Sequence, residues 1–183
     1  MAGIKQVLLD VLTRLSNIDV TNNDNNAAKL YTRLWNNQLA SIPDASSYSF
    51  PLPAAFVEVQ NDVQYQIIGT GVRSADLNIR IHLLHEFMNE DTTFEQDLII
   101  FDLRDTILST TVGLSQFCPS ACGTLNCVRE EQDFSHTNLY HYVLDFVCNF
   151  TDFNGSPLNP AEHNYIISAL PNADLQPTYT IVK

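Results

Sequence analysis

The chain has 183 residues, enough for one hydrophobic core and too few for two comfortable domains. Apolar residues make up 45% and charged residues 16%, with many Asn, Thr, Ser and Gln, a balance that excludes an intrinsically disordered chain. Nine Lys and Arg stand against 21 Asp and Glu, for a formal net charge of -12, and the few cations are dispersed, which excludes a basic surface that grips nucleic acid.

In "MAGIKQVLLDVLTRL" the residues Ile4, Val7, Leu8, Val11, Leu12 and Leu15 recur at steps of three and four, which predicts an amphipathic helix over residues 3 to 16. Lys5, Asp10 and Arg14 interrupt the apolar pattern, so this segment reads as part of the fold and not as a leader. No run reaches the length of a bilayer span. The chain is therefore expected to be intracellular and its Cys residues to be thiols. Turn-prone "NIDVTNNDNNA" ends the helix. A second helix is predicted over "AAKLYTRLWNNQLA", with Leu30, Leu34 and Gln38 in one line and Tyr31, Trp35 and Leu39 beside it, although Asn36 and Asn37 suit a helix interior poorly.

Pro51 and Pro53 then restrict φ and push the residues before them toward extended backbone, so the chain enters the strand "AAFVEVQ" already straightened. Prolines at that point place the entry near a sheet edge or ahead of the paired region. Ala55, Val57 and Val59 point one way, Phe56 and Glu58 the other. The segment "NDVQYQIIGTGVRS" contains a Gly69-Thr70-Gly71 turn and reads as a hairpin tip or a longer loop. In "ADLNIRIHLLHEF" Leu77, Ile79, Ile81 and Leu83 alternate with Asn78, Arg80 and His82, the clearest strand in the chain.

A helix is predicted in "NEDTTFEQDLIIFDLRDTIL", with Thr92 as N-cap and Glu95 closing a capping box. Its face is Ile99, Ile100, Leu103 and Ile107, widened by Phe101 and Leu108, and Gly113 marks the exit. After an irregular stretch at 114–138, with a short strand near Leu125 to Arg129, "LYHYVLDFVCNFTDF" reads as a long strand. Tyr140, Tyr142, Leu144, Phe146, Cys148 and Phe150 share one face of it, His141 and Asp145 the other. Asn159, Pro160 and Glu162 predict a short helix, followed by an extended "PTYTIV".

The elements add up to a single α+β domain over 1–183: a mostly antiparallel sheet of about four strands with helices packed on one face. It carries a turn-rich loop at 61–75, the irregular Cys region at 114–138 and a C-terminal extension at 151–183. The second face of the sheet holds either Phe56 or the Tyr and Phe row, and needs cover from extra segments or another subunit.

Motifs for catalysis are weak. Cys118, Cys122 and Cys127 are spaced C-x3-C-x4-C with Cys148 later, an irregular set for zinc; plain thiols are preferred over a disulfide and over a metal site. His82 and His85 in "HLLHE" differ from the helical zinc-protease pattern and point to opposite faces of a strand, so they read as a wet-face and a strand-end histidine. Asp97, Asp102 and Asp105 read as a solvated helix face. The Gly69–Gly71 turn lacks the Lys and the helix of a phosphate loop, and Gly113-Leu114-Ser115 is no nucleophile elbow. No catalytic, cofactor or metal residue is assigned, and no enzyme activity is expected.

In their order, "IKQVLLDVLTRL", "FPLPAAFVEV", "ADLNIRIHLLHEF", "FEQDLIIFDLRDTIL" and "LYHYVLDFVCNF" resemble the tail terminator, or tail completion, proteins of long-tailed bacteriophages. The resemblance covers most of residues 4 to 150 as a succession of hydrophobic patterns. It implies a structural virion protein of the tail or neck, assembled in the host cytoplasm, that forms a homo-oligomeric ring, usually a hexamer. Such a ring caps the tail tube, joins it to the head connector and lets DNA pass without specific binding. The interface residues this implies are Pro51 and Pro53, holding a sheet edge, with Tyr65 and Arg73 on the 61–74 loop. Another head-to-tail connector or neck protein, or a small intracellular adaptor module, remains the alternative.

Overall fold

The computed structural model describes residues 3–21, 27–41, 50–60, 63–86, 98–120, 122–133 and 139–155. In chain order it contains α1 (Ile4–Ser16), β1 (Asp19–Thr21), β2 (Ala27–Lys29), β3 (Tyr31–Leu34) and a 3₁₀ turn at Gln38–Ser41. β4 (Ala54–Val59), β5 (Gln66–Gly69), β6 (Val72–Glu86), α2 (Ile99–Leu108), β7 (Asn126–Asp133) and β8 (Leu139–Asp152) follow. β1 and β2 form a separate antiparallel pair. The main sheet runs β3-β4-β6-β8-β7, with β5 also paired to β6. Its ladders are antiparallel except that between β3 and β4.

The class is α+β with a mostly antiparallel sheet, as the sequence implies, but the main sheet has six strands and not about four. β3 and β5 supply the difference. The segment predicted as a second helix is β2, β3 and the 3₁₀ turn. Adjacent Leu30 and Tyr31 pack into two different hydrophobic clusters on opposite sides of the sheet, a divergence that extended backbone permits and a helical stripe does not. Asn37, at φ 54, then takes a left-handed conformation incompatible with continuing a helix.

The helix-covered face is the main core. Val7, Val11 and Leu15 of α1 and Ile100, Leu103 and Ile107 of α2 are buried against Leu77, Ile79, Ile81 and Leu83 of β6 and Leu144, Phe146, Cys148 and Phe150 of β8. The predicted Tyr and Phe row thus faces the helices. Thr92 and Glu95, the expected cap of α2, lie outside the described residues; within them the helix begins at Ile99. Phe101 falls off the buried face and meets Tyr142 edge-on at 5.8 Å. After α2 the chain doubles back so closely that a Cβ on Gly113 would lie 2.2 Å from the Ile107 carbonyl oxygen, which only glycine avoids. Arg14 Nε donates to the Gly113 carbonyl at 3.0 Å and ties this turn to α1.

The second face is covered at one end by the chain itself. Leu39, Phe50 and Leu52 pack there on Ala54, Phe56, Leu84 and Leu139, with Tyr31 and Trp35 alongside. Below Trp35 the face turns polar through His82, Arg80, Asn78 and Asp76. β4 is an interior strand, between β3 and β6, so the prolines do not hold a sheet edge. They precede Ala54, the first residue paired on both sides, and the Leu52–Pro53 bond is cis. The predicted helix at Asn159–Glu162 and the terminal extended segment lie outside the described residues.

Phe146 is fully buried on the central ladder. Phe146→Ala should lower unfolding free energy by about 3–5 kcal/mol. Leu9→Ala, on the half-exposed outer side of α1, should change it by no more than about 0.5 kcal/mol in the same urea titration.

Candidate functional site

Two features stand out from the frame: a hairpin arm and a buried histidine pair. The arm is β5 with the start of β6, closed by the Gly69-Thr70-Gly71 turn, where Gly71 adopts φ 71. β4 pairs with β6 from Ile79 to Leu84 and β5 only from Val72 to Ser74, so the arm projects past the end of β4. All four β5 residues are exposed. Ile67 is 83% and Ile68 51% exposed, two adjacent apolar side chains at a register irregularity between Ile67 and Gly69.

Tyr65 and Arg73, expected at an interface, are brought together at the base of this arm. The Arg73 guanidinium lies 4.7 Å from the centre of the Tyr65 ring, and its Nη2 donates to the buried Asp152 carboxylate at 2.6 Å. Arg73 thereby clamps the arm to the end of β8, and Ile67 and Ile68, which sequence reasoning passed over, present the apolar surface. Pro51 is exposed and Pro53 buried within the chain, away from the arm, beside the Phe50–Phe56 cluster.

The histidine pair lies on the second face. His82 Nε2 is 3.1 Å from Glu58 Oε2; His82 Nδ1 is 2.9 Å from His141 Nε2; His141 Nδ1 is 3.0 Å from Asp133 Oδ2. Four strands contribute, β4, β6, β8 and β7, and the registers Phe56↔His82, Leu84↔His141 and Asp133↔His141 put the side chains on one face. Trp35 covers them, stacked on His82 at 3.9 Å with planes 7° apart. His82 is therefore not a wet-face residue; it and His141 are 5% and 4% exposed. Burial pushes the His82 imidazole down to about 4; the Glu58 carboxylate opposes this, and positive charge on His141 and Arg80 adds to it.

His85 does point away from His82 and is also buried, its Nδ1 donating to the Glu86 carbonyl oxygen at 3.1 Å. One step along the second face, Arg80 grips Asp145 with two bonds of 2.7 and 3.0 Å. The Asp145 hydrogen bond raises the Arg80 pKa.

The preference for four thiols is overturned. Cys122 and Cys148 form a disulfide, Cα atoms 6.2 Å apart, because Cys122 bridges to Phe150 beside the Cys148 end of β8. Cys118 and Cys127 are free thiols. Among the described residues no three His, Cys, Asp or Glu side chains converge as metal ligands. The two histidines face each other and not a common centre. Asp102 and Asp105 are solvated as expected; Asp97 lies outside the described residues.

Comparison with protein-family models gives no match, and comparison with curated proteins gives none either.

Asp145 leaves the Arg80 guanidinium only partly solvated, with Arg80 27% exposed. Asp145→Ala should therefore cost about 1.5–3 kcal/mol in denaturant unfolding, a charge-assisted pair lost from a half-buried site.

Proposed function

We propose that this chain is a structural subunit of a long-tailed phage that assembles as a ring, hexameric as in the resembling family, to cap the tail tube and join it to the head connector. The observation that carries this is the arm, a hairpin with two adjacent exposed isoleucines tied at its base to β8 by Arg73. An edge strand of that kind invites pairing with other protein, and soluble chains that keep one use it as a contact. A closed ring needs a heterologous patch, in which an element of one copy enters a complementary surface of the next. A clamped arm supplies one half of such a contact. The contact is thus assigned to the arm, since the second face of the sheet is covered at one end by Trp35, Leu39, Phe50 and Leu52. Pro51 is offered as a secondary contact; Pro53 acts only by shaping the entry to β4.

A net charge of -12 suits a channel that DNA traverses without being retained. The alternatives of a neighbouring neck protein or an adaptor module differ in the partner that the arm meets and in the absence of a ring.

Solution mass and negative-stain images of the purified chain, alone and with a tail-tube protein, should give ring particles. An Ile67→Asp, Ile68→Asp double variant should remain monomeric with its unfolding midpoint unchanged. A native chain that stays monomeric under every condition, tube protein included, or a double variant that forms the same rings, contradicts the proposal.

A further inference from the structure

We propose that Glu58, His82, His141 and Asp133 form a proton-binding latch, in which one proton shared by the two imidazoles fastens the Trp35 side chain onto the second face of the sheet.

Hydrogen counting carries the inference. Ionised carboxylates only accept, so His82 Nε2 must carry a hydrogen toward Glu58 and His141 Nδ1 one toward Asp133. With both rings neutral, those two hydrogens are all the pair possesses. His82 Nδ1 and His141 Nε2 would then face each other lone pair to lone pair at 2.9 Å. A third hydrogen turns that repulsion into a hydrogen bond, and the pair becomes one imidazole and one imidazolium between two carboxylates.

Burial opposes that charge and the flanking carboxylates favour it. Glu58 faces the pair from β4, Asp133 from β7 and Arg80 from β6; Asp145 of β8 and Glu131 of β7 act on Arg80, Glu131 is paired to Arg129 of its own strand, and Arg33 of β3 is exposed and lies over Tyr31. Arg80 is held by Asp145, which offsets its repulsion of a charged ring. The indole of Trp35, parallel to His82, adds a cation–π contact to a charged ring and shields it from water.

An unfolded chain binds protons at both histidines near the ordinary value of about 6.5. A proton that the folded pair holds more tightly than the unfolded histidines do stabilises fully below about 6.5, and that contribution is lost as pH rises through the folded value. A second proton enters only when His82 titrates, which burial has pushed down to about 4, so stability also falls as pH drops from about 6.5 toward 4. The latch is tightest near the crossing of these two effects. Release on the alkaline side loosens the Trp35 side chain over the pair, while β3 stays paired to β4. The inference is independent of ring assembly.

Trp35 is the sole tryptophan, and a stacked imidazolium quenches indole emission. Emission of the full chain should rise in one transition as pH increases above about 6.5, and that transition should vanish in His141→Gln. Glu58→Gln should move its midpoint down by about one pH unit. Should the histidine variant fail to fold, nitrogen-resolved NMR of the native chain near neutral pH decides: three ring N–H hydrogens on the pair support the latch. Two neutral rings there, or an emission transition unchanged in the Gln variants, overturns it.

Discussion

The unbroken antiparallel pairing of β6 with β8, from Arg73↔Asp152 to Glu86↔Leu139, fixes which side chains meet the helices and which meet the second face. Because side chains alternate along a strand, slipping this ladder by one residue would carry Leu77, Ile79, Ile81 and Leu83 out of the core and put Arg80 and His82 into it. The burial of Phe146 and Phe150 beneath α1 and α2 penalises that slip, and the Arg80–Asp145 and His82–His141 bonds across the same two strands penalise it from the other side. Apolar burial and polar pairing thus select one register.

The same ladder positions both features that point to function. Its length exceeds that of β4, so past β4 the edge beside β6 is taken by β5, and this arm is anchored where Arg73 meets the last residue of β8. At its other end, paired positions bring histidines from β6 and β8 together under Trp35. The spine thus carries an exposed hairpin at one end and a self-covered polar cluster near the other.

Legibility in the sequence followed periodicity. α1, β6 and β8 are long enough for their three-to-four and two-residue repeats to be unambiguous, and each lies where the repeats place it. The Leu30–Leu39 stretch imitates a helical stripe because Leu30, Leu34 and Tyr31 happen to be spaced for one; its residues diverge to two cores, a tertiary fact that local spacing does not encode. β5 is too short and too exposed to leave a pattern. The histidine pair was hidden because its members are 59 positions apart and meet through strand register, although His82 on the less apolar face of one predicted strand and His141 on that of another was the available clue. The Cys122–Cys148 bond was likewise invisible to spacing, since the strand bearing Cys148 returns past Cys122 only in the folded sheet. Tyr65 and Arg73 are singled out by the turn-rich composition of their loop; their contacts place them at the base of the arm and leave Ile67 and Ile68 at its surface.

Residue-resolved amide hydrogen exchange of the isolated chain is the most direct test of a rigid ladder bearing an exposed arm. Amides of Ile79–Leu84 and of the facing part of β8 should exchange only through global unfolding, while Gln66–Gly69, paired along a single edge and solvated on both faces, should exchange faster by orders of magnitude. Protection of Gln66–Gly69 equal to that of the central strands in a chain shown to be monomeric would mean that the hairpin is part of the closed core, and would contradict the account.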